Sequence, residues 1–583
     1  MAPATMAAVN SARILTSRRP ALSKKILLRE GGRVLADQLA IHGVDTVFAV
    51  PGESYLPVLD GLHENIGRIR LITCRMEAGA ANMADAYGKL TGRPGICMVT
   101  RGPGAAHASV GVHTAAQDST PMILFVGQVG RSMREREAFQ EIDYKAMFGT
   151  IAKLVVEIND PARIPEHVAH AFAVATSGRP GPVVVSLPED VLSAVVDVAD
   201  ARAYRATQPS PSADDMAELR TRLSVARRPL IIVGGGTWTP DASRDLVAFA
   251  EANGIPVAAG FRSQDVFPNQ HALYIGDIGL GVNPKLAKRV MDADLIIALG
   301  TRLEENVTQG YSLIAIPTPG QTLIHVHPSI AELGRVYQAD LPINSGMPQF
   351  AATARALEPV DHTMFASWAA SARMELNEHR KPLQAPGAVN MSDIVTAISA
   401  SLPDDAIITN GAGNYTVWVH RFYNHRLYGT QLAPTSGAMG YGVPAAIAAK
   451  VVHPDRVVVS FNGDGCFLMC GQELATAMQH KLDPIFIVVN NGMYGTIRMH
   501  QERHYPGHVI GTDLINPDFV MLATSYGLHA ERVAATADFM PAFARARSAG
   551  KAALIEIVID PEALTPKLSL SQIRAEAMAT RKA

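Results

Sequence analysis

The sequence predicts an α/β protein made of three doubly wound parallel-sheet domains. Three observations predict it. Stretches of helical periodicity alternate with short, continuous apolar runs of the kind buried on both faces of a parallel sheet. Those runs close on Gly- or Pro-containing turns. Two segments that lose periodicity divide a chain of 583 residues, too long for one hydrophobic core, into three blocks of similar size.

The first block opens with residues 31–42, whose apolar spacing near 3.6 predicts a helix. Val47–Val50 is a short apolar strand closed by Pro51 and Gly52. Residues 77–91 are Ala-rich and predict a helix. Gly95–Thr100, Pro121–Val126 and Pro182–Leu187 predict buried strands. Residues 197–215 gain Pro, Ser and Asp and predict a linker. In the second block the strands are Pro229–Val233, Leu295–Leu299 and Thr322–Val326. A second linker is expected near residues 358–390. The third block carries Ala406–Thr409, Val457–Phe461, Ile485–Val489 and Leu554–Ile559. The expected domains are 29–196, 216–357 and 385–565. Periodicity alone does not say whether the first and third share a topology.

Composition narrows the partners. Hydrophobic residues make up 48% and charged residues 18%, with a net charge of −2 and no basic block. That gives no case for nucleic acid or an anionic membrane. No apolar run reaches the roughly 18 residues that span a bilayer. The four cysteines, Cys74, Cys97, Cys466 and Cys470, form no CxxC pair. They read as buried reduced thiols, and a cytoplasmic location fits. The first acidic residue is Glu30, preceded by Arg13, Arg18, Arg19, Lys24, Lys25 and Arg29 among Ser, Thr and Ala. Residues 1–28 are expected as a disordered extension, with a mitochondrial presequence as the alternative.

The strongest chemical signal is Gly463-Asp464-Gly465 directly after a predicted strand. Then come 24 residues, the last five of them the second strand, and Asn490-Asn491. A carboxylate at one strand end and an amide at the next can reach one point. Asp and Asn oxygens are hard ligands, suited to Mg²⁺ or Ca²⁺ and poorly suited to zinc. The flanking glycines let backbone N–H groups approach a phosphate. A lone Gly-Asp-Gly is an ordinary turn; its place between two strands with the Asn pair makes it a signal.

On these residues the chain resembles the thiamine-diphosphate enzyme superfamily, which carries Gly-Asp-Gly, a similar spacer and an Asn pair. The resemblance implies the thiamine-diphosphate-binding fold, with pyrimidine and diphosphate domains flanking a central one. It implies that Asp464, Asn491 and the carbonyl of Met493 bind Mg²⁺. Gly463, Gly465, Cys466, Tyr494 and Gly495 would lie in the segment around the diphosphate. Arg75–Ala81 resembles the family's glutamate segment. There Glu77 would hydrogen-bond the cofactor's pyrimidine and favour the tautomer whose amino group takes the thiazolium proton. The alternative is a Glu favoured by the helix dipole. Ser436–Ala446 resembles the acetolactate synthase segment in which a large apolar residue bends the cofactor. Met439 takes that place, and the Gly437 carbonyl would accept from the amino group. The alternative for Met439 is plain core. Asn414 and Tyr415 align with a Gln-His pair that touches the diphosphate.

The likeness covers residues 31–565 and is closest to the acetolactate synthase group. It implies that Gln140 lies near the reacting carbons and that Lys153 matches a family Lys assisting there. It also implies a homodimer or homotetramer in which Glu77 of one chain serves the Asp464 site of another. The implied reaction decarboxylates a 2-oxo acid and ligates the acyl unit to a second carbonyl. Alternatives are a non-ligating decarboxylase, a 2-hydroxyacyl lyase, an FAD-dependent pyruvate oxidase, or a non-catalytic subunit. Four departures stand out. Met76 precedes Glu77 where His is usual, and Glu53 stands where a second Gly is usual. His500 replaces a channel Trp, and His504-Tyr505 replaces Phe-Tyr. His500 and His504 either make a more polar substrate pocket or are solvated loop residues. Gly234-Gly235-Gly236 and Thr301-Arg302 lie where relatives bind FAD, an ADP-like ligand or nothing, so FAD stands as an open alternative.

Overall fold

The computed structural model describes residues 28–582; the expected extension 1–28 lies outside these except for Leu28. Three six-stranded sheets dominate, and every pairing within them is parallel. A short antiparallel ribbon joins β1 (Leu28–Glu30) to β8 (Val195–Asp197).

The first sheet holds β2 (Thr46–Ala49), β3 (Arg70–Thr73), β4 (Gly95–Val99), β5 (Met122–Gln128), β6 (Leu154–Glu157) and β7 (Pro182–Pro188). The central sheet holds β9 (Pro229–Val233), β10 (Val257–Ala259), β11 (Tyr274–Asp277), β12 (Leu295–Leu299), β13 (Thr322–His327) and β14 (Leu341–Asn344). The third holds β15 (Ile407–Asn410), β16 (Gln431–Leu432), β17 (Val458–Gly463), β18 (Ile485–Asn490), β19 (His529–Val533) and β20 (Ala553–Val558).

Strand order answers what periodicity left open. The first sheet runs β3-β2-β4-β5-β7-β6 and the third β16-β15-β17-β18-β20-β19. Counted from each sheet's first strand, both read 2-1-3-4-6-5, so the two share one topology. The central sheet, β11-β10-β9-β12-β13-β14, reads 3-2-1-4-5-6, the doubly wound order of dinucleotide-binding sheets. Side chains alternate across each sheet as a period of two requires. Val47 and Ala49 enter one core and Phe48 the other; Ile123 and Phe125 enter one and Leu124 the other.

The first and third sheets share a core. The helices Glu77–Thr91 and Gly442–Val452 pack against each other, and both bring alanines into this core, Ala80, Ala81 and Ala84 from the first and Ala445, Ala446 and Ala449 from the second. Small side chains allow the close approach. A polar group is buried in this seam. Tyr441 donates to Asp85 at 2.6 Å, and the Lys89 ammonium lies between Asp85 (3.0 Å) and Asp118. A buried cation held by two carboxylates avoids the cost of an unpaired buried charge.

Two expected linkers carry more structure than periodicity indicated. The segment 197–215 gives its last residues to the helix Ala213–Val225, started by a capping box between Ser212 and Asp215. The segment 358–390 contains the helix Ala366–His379. Its buried face is only Ala369, Ala372 and Leu376, too thin a stripe to read as amphipathic. The helix Leu570–Lys582 follows the expected C-terminal domain and packs on Gly495–His504. No helix among the described residues is long and apolar enough to cross a membrane.

Candidate active site

β17 ends at Gly463, and Asp464 begins a one-turn helix, Asp464–Phe467. The neighbouring β18 ends at Asn490, with Gly463 in register with Val489. The carboxyl ends of two parallel strands therefore bring Asp464 beside the Asn pair. Asp464 is 3% exposed. Its Oδ1 accepts from the Gly465 N–H at 2.9 Å, and its Oδ2 accepts from the Gly492 N–H at 2.9 Å and from Asn516 Nδ2 at 2.8 Å. Burial pushes the carboxyl above its usual range, opposed by these donors. Asn491 Oδ1 accepts from the Met493 N–H at 3.3 Å. The Met493 carbonyl accepts from the Gly495 N–H at 2.9 Å and keeps a second lone pair.

One cavity of about 250 Å³ gathers twelve of the residues that the sequence nominated. They are Asn414, Tyr415, Gly437, Met439, Gly463, Asp464, Gly465, Cys466, Asn491, Met493, Tyr494 and Gly495. Their local contacts hold the wall rigid. Asn414 Oδ1 accepts from Thr496 Oγ at 3.0 Å. The Tyr415 hydroxyl donates to Cys466 Sγ at 3.4 Å, and the same sulfur accepts from the Gly440 N–H at 3.2 Å. All four cysteines are free and buried. Met439 is half-buried against the core formed on one face of the third sheet.

These residues fit a divalent cation with a diphosphate. The candidate ligands are all oxygens, the set preferred by Mg²⁺. Gly437 has φ +69°, and a Cβ there would meet nothing within 4 Å, so the backbone faces open space. At Gly465 a Cβ would stand 2.5 Å from the Tyr494 ring, so only glycine lets this turn approach. Asn516 adds a feature that sequence reasoning missed. Its Nδ2 bridges Asp464 and Asn490 (3.0 Å), while its own Oδ1 is buried without a hydrogen-bond partner. A buried acceptor left unpaired beside a carboxylate suits a cation. Asn516 lies 25 residues beyond Asn491, in a loop with no periodic signal.

Glu77 and Gln140 lie elsewhere in the same chain, off the wall of this cavity. Glu77 begins its helix, and its Oε2 lies 2.9 Å from Nδ1 of the exposed His107. Gln140 sits at φ +65°. Its Oε1 accepts from Arg101 Nε at 3.3 Å and its carbonyl from the Gly102 N–H at 3.0 Å. Arg101 also pairs with Glu53 and with Glu189 at 2.6 Å. Lys153 donates to the carbonyls of Val174 (2.5 Å) and Ser177 (2.7 Å), and burial lowers its ammonium to about 8.

His500 and His504 belong to the helix Gly495–His504 rather than a loop, and their rings stack 6.0 Å apart. A further cleft lies where the central domain meets the first and third. Gly234, Gly235, Gly236, Thr301 and Arg302 line it, and Arg302 donates to the Gln117 carbonyl of the first domain at 3.1 Å.

Comparison with known proteins covers most of the chain. Residues 29–147 match the N-terminal TPP binding domain of thiamine pyrophosphate enzymes, residues 216–354 the central domain, and residues 411–557 the C-terminal TPP binding domain. The acetolactate synthase large subunit of Corynebacterium glutamicum is 33% identical over 556 residues, covering 91% of this chain and 87% of that one. The probable acetolactate synthase large subunit of Methanocaldococcus jannaschii is 31% identical over 564 residues, 92% and 93% of the two chains. That of Lactococcus lactis is 32% identical over 519 residues, 87% and 89%. The chain belongs to the thiamine pyrophosphate enzyme family.

Proposed function

We propose that this chain is a thiamine-diphosphate- and Mg²⁺-dependent, acetolactate synthase-like carboligase acting on 2-oxo acids such as pyruvate. The observation that carries the reading is the gathering of Asp464, Asn491 and Met493 with Gly437 and Met439 around one cavity. The similarity to acetolactate synthase large subunits supports it.

Bound thiamine diphosphate supplies a thiazolium carbon that can attack a 2-oxo carbonyl and take up the electron pair released with carbon dioxide. The chain's own residues do the rest. Asp464, Asn491 and the Met493 carbonyl would hold Mg²⁺, and Asn516 keeps Asp464 and Asn490 in place. The glycine-containing turn from Gly463 to Cys466 and the backbone at Tyr494 and Gly495 would lie around the diphosphate, with Asn414 and Tyr415 beside it. The Gly437 carbonyl would accept from the pyrimidine amino group, and Met439 would pack against the cofactor between its two rings. Glu77 of a neighbouring subunit would hold a proton toward the pyrimidine, and Gln140 would face the reacting carbons. The enzyme is thus a homodimer or homotetramer with sites between subunits. Its four free thiols suit the cytosol. For two pyruvates, one proton enters, one carbon dioxide leaves and one C–C bond forms.

The central cleft, with its glycine backbone and Arg302, suits a nucleotide pyrophosphate; flavin absorbance in the purified enzyme decides whether FAD is that ligand. The reaction is tested by supplying a panel of 2-oxo acids with thiamine diphosphate and Mg²⁺. Carbon dioxide release with a 2-hydroxy-3-oxo acid product supports ligation. Carbon dioxide with free aldehyde supports a simple decarboxylase, and no turnover of any of them removes the reading.

A further inference from the structure

A second cavity, of about 780 Å³, opens beside the first and shares Ala412, Gly413, Asn414, Gly437 and Thr496 with it. The helix Gly495–His504 forms one wall. Thr496, Met499, His500 and Arg503 line the cavity at spacings i, i+3, i+4 and i+7, a single helical face. Arg503 stands eight residues beyond Gly495, about 12 Å along the helix axis.

The charge of this cavity is one-sided. Arg262, Arg421, Arg503 and Lys567 come from four separate segments, and no Asp or Glu among the described residues lines the space. None of the four makes a salt bridge among the described residues, although 35 ion pairs occur elsewhere. Arg262 is buried and donates only to the carbonyls of Pro434 and Gly411, leaving Nε without a partner. Arg421 is half-buried, and its Nε donates to the His379 carbonyl at 2.8 Å. Arg503 and Lys567 are exposed, with no side-chain hydrogen bond among the described residues. The whole chain carries −2, so this excess is local. Uncompensated cations around a partly buried space are unfavourable unless an anion arrives, and such a cleft concentrates anions.

A three-carbon 2-oxo acid brings one carboxylate and fills little of this volume. We infer that the second cavity receives a substrate carrying a further anionic group, carboxylate or phosphate, remote from the reacting carbonyl. This rests on the reading of the adjoining cavity as the thiamine diphosphate site. It names the class of donor or acceptor that site handles.

Two matched pairs test it with the enzyme loaded with thiamine diphosphate and Mg²⁺. As donors, 2-oxoglutarate is compared with 2-oxobutyrate; as acceptors for pyruvate, glyceraldehyde 3-phosphate is compared with glyceraldehyde. The first pair reports a carboxylate, the second a phosphate. The expected result is a kcat/KM at least about tenfold higher for the more anionic member of one pair, shrinking as salt rises. Arg503→Gln with Lys567→Gln, and separately Arg421→Gln, should cut that advantage to about twofold. A ratio near one in both pairs overturns the inference. Calorimetric titration with glutarate and butyrate gives a readout independent of turnover. Tighter glutarate binding that these substitutions remove supports the inference even if no 2-oxo acid reacts, an outcome that sinks the proposed reaction alone. Equal binding of the two overturns it.

Discussion

The carboxylate of Glu473 accepts a hydrogen bond from the Met76 N–H at 2.9 Å, one residue before Glu77 opens its helix. The Arg75 N–H donates to the same carboxylate at 3.1 Å. A side chain of the third sheet's domain thus caps the segment that presents Glu77, and burial raises the carboxyl above its ordinary range. Gly79 makes room, since a Cβ there would lie 2.5 Å from Glu473 Oε1. Glu473→Ala leaves these donors without their partner and opens a space at a buried side chain. It should destabilise the protein by about 1–3 kcal/mol. The check is a lowered Tm by circular dichroism, with activity falling further than the fraction unfolded explains.

Glu77 and Asp464 of one chain do not share a cavity wall, and the proposed site joins them across subunits. Glu77→Gln and Asp464→Ala should each reduce activity by about a hundredfold or more. Mixed after dissociation and reassembly, the two inactive proteins should recover about a quarter of wild-type activity in dimers. Recovery at the level of the separate variants would place both residues in one subunit's site.

Met439 is half-buried yet borders the cavity. As a wedge, it should matter to rate rather than to affinity. Met439→Ala is expected to lower kcat by about tenfold or more, because small misplacements of reacting groups are costly. A change in Tm with kcat unaltered would return it to the core.

The helix that walls the second cavity is fastened by Glu502. Its carboxylate accepts from Arg574 Nε at 2.7 Å, from Arg498 Nε at 3.1 Å and from the Gly507 N–H at 3.0 Å. The Arg574 guanidinium chiefly holds this carboxyl down at about 2. A depressed folded value contributes stability above the unfolded value, about 4.3, that is lost as pH falls toward 2. The Tm difference between wild type and Glu502→Gln should therefore be largest at neutral pH and shrink through this window. Limited proteolysis should release the helix Leu570–Lys582 sooner in the variant.

How much of this was legible in the sequence depends on burial. Strands such as Pro229–Val233 and Leu295–Leu299 are covered on both faces and read as unbroken apolar runs. The short edge strands β3, β11, β14 and β19 carry Arg70, Asp277, Asn344, Glu531 and Arg532, so they lacked that signal. The motif residues from Gly463 to Gly495 were legible because strand ends bring them together. Asn516 and Glu473 were not, because only tertiary folding carries them to Asp464 and to Met76. The second cavity was likewise hidden: its four cations lie more than 300 residues apart at the extremes, Arg262 and Lys567, and nothing in their spacing joins them.

In the proposed site Asp464 organises the joint binding of Mg²⁺ and thiamine diphosphate. The direct measurement is calorimetric titration of thiamine diphosphate into metal-stripped protein, with and without Mg²⁺, for wild type and Asp464→Ala. Wild type should bind saturably only when Mg²⁺ is present, and the variant not at all. Equal affinity without Mg²⁺, or in Asp464→Ala, would contradict it.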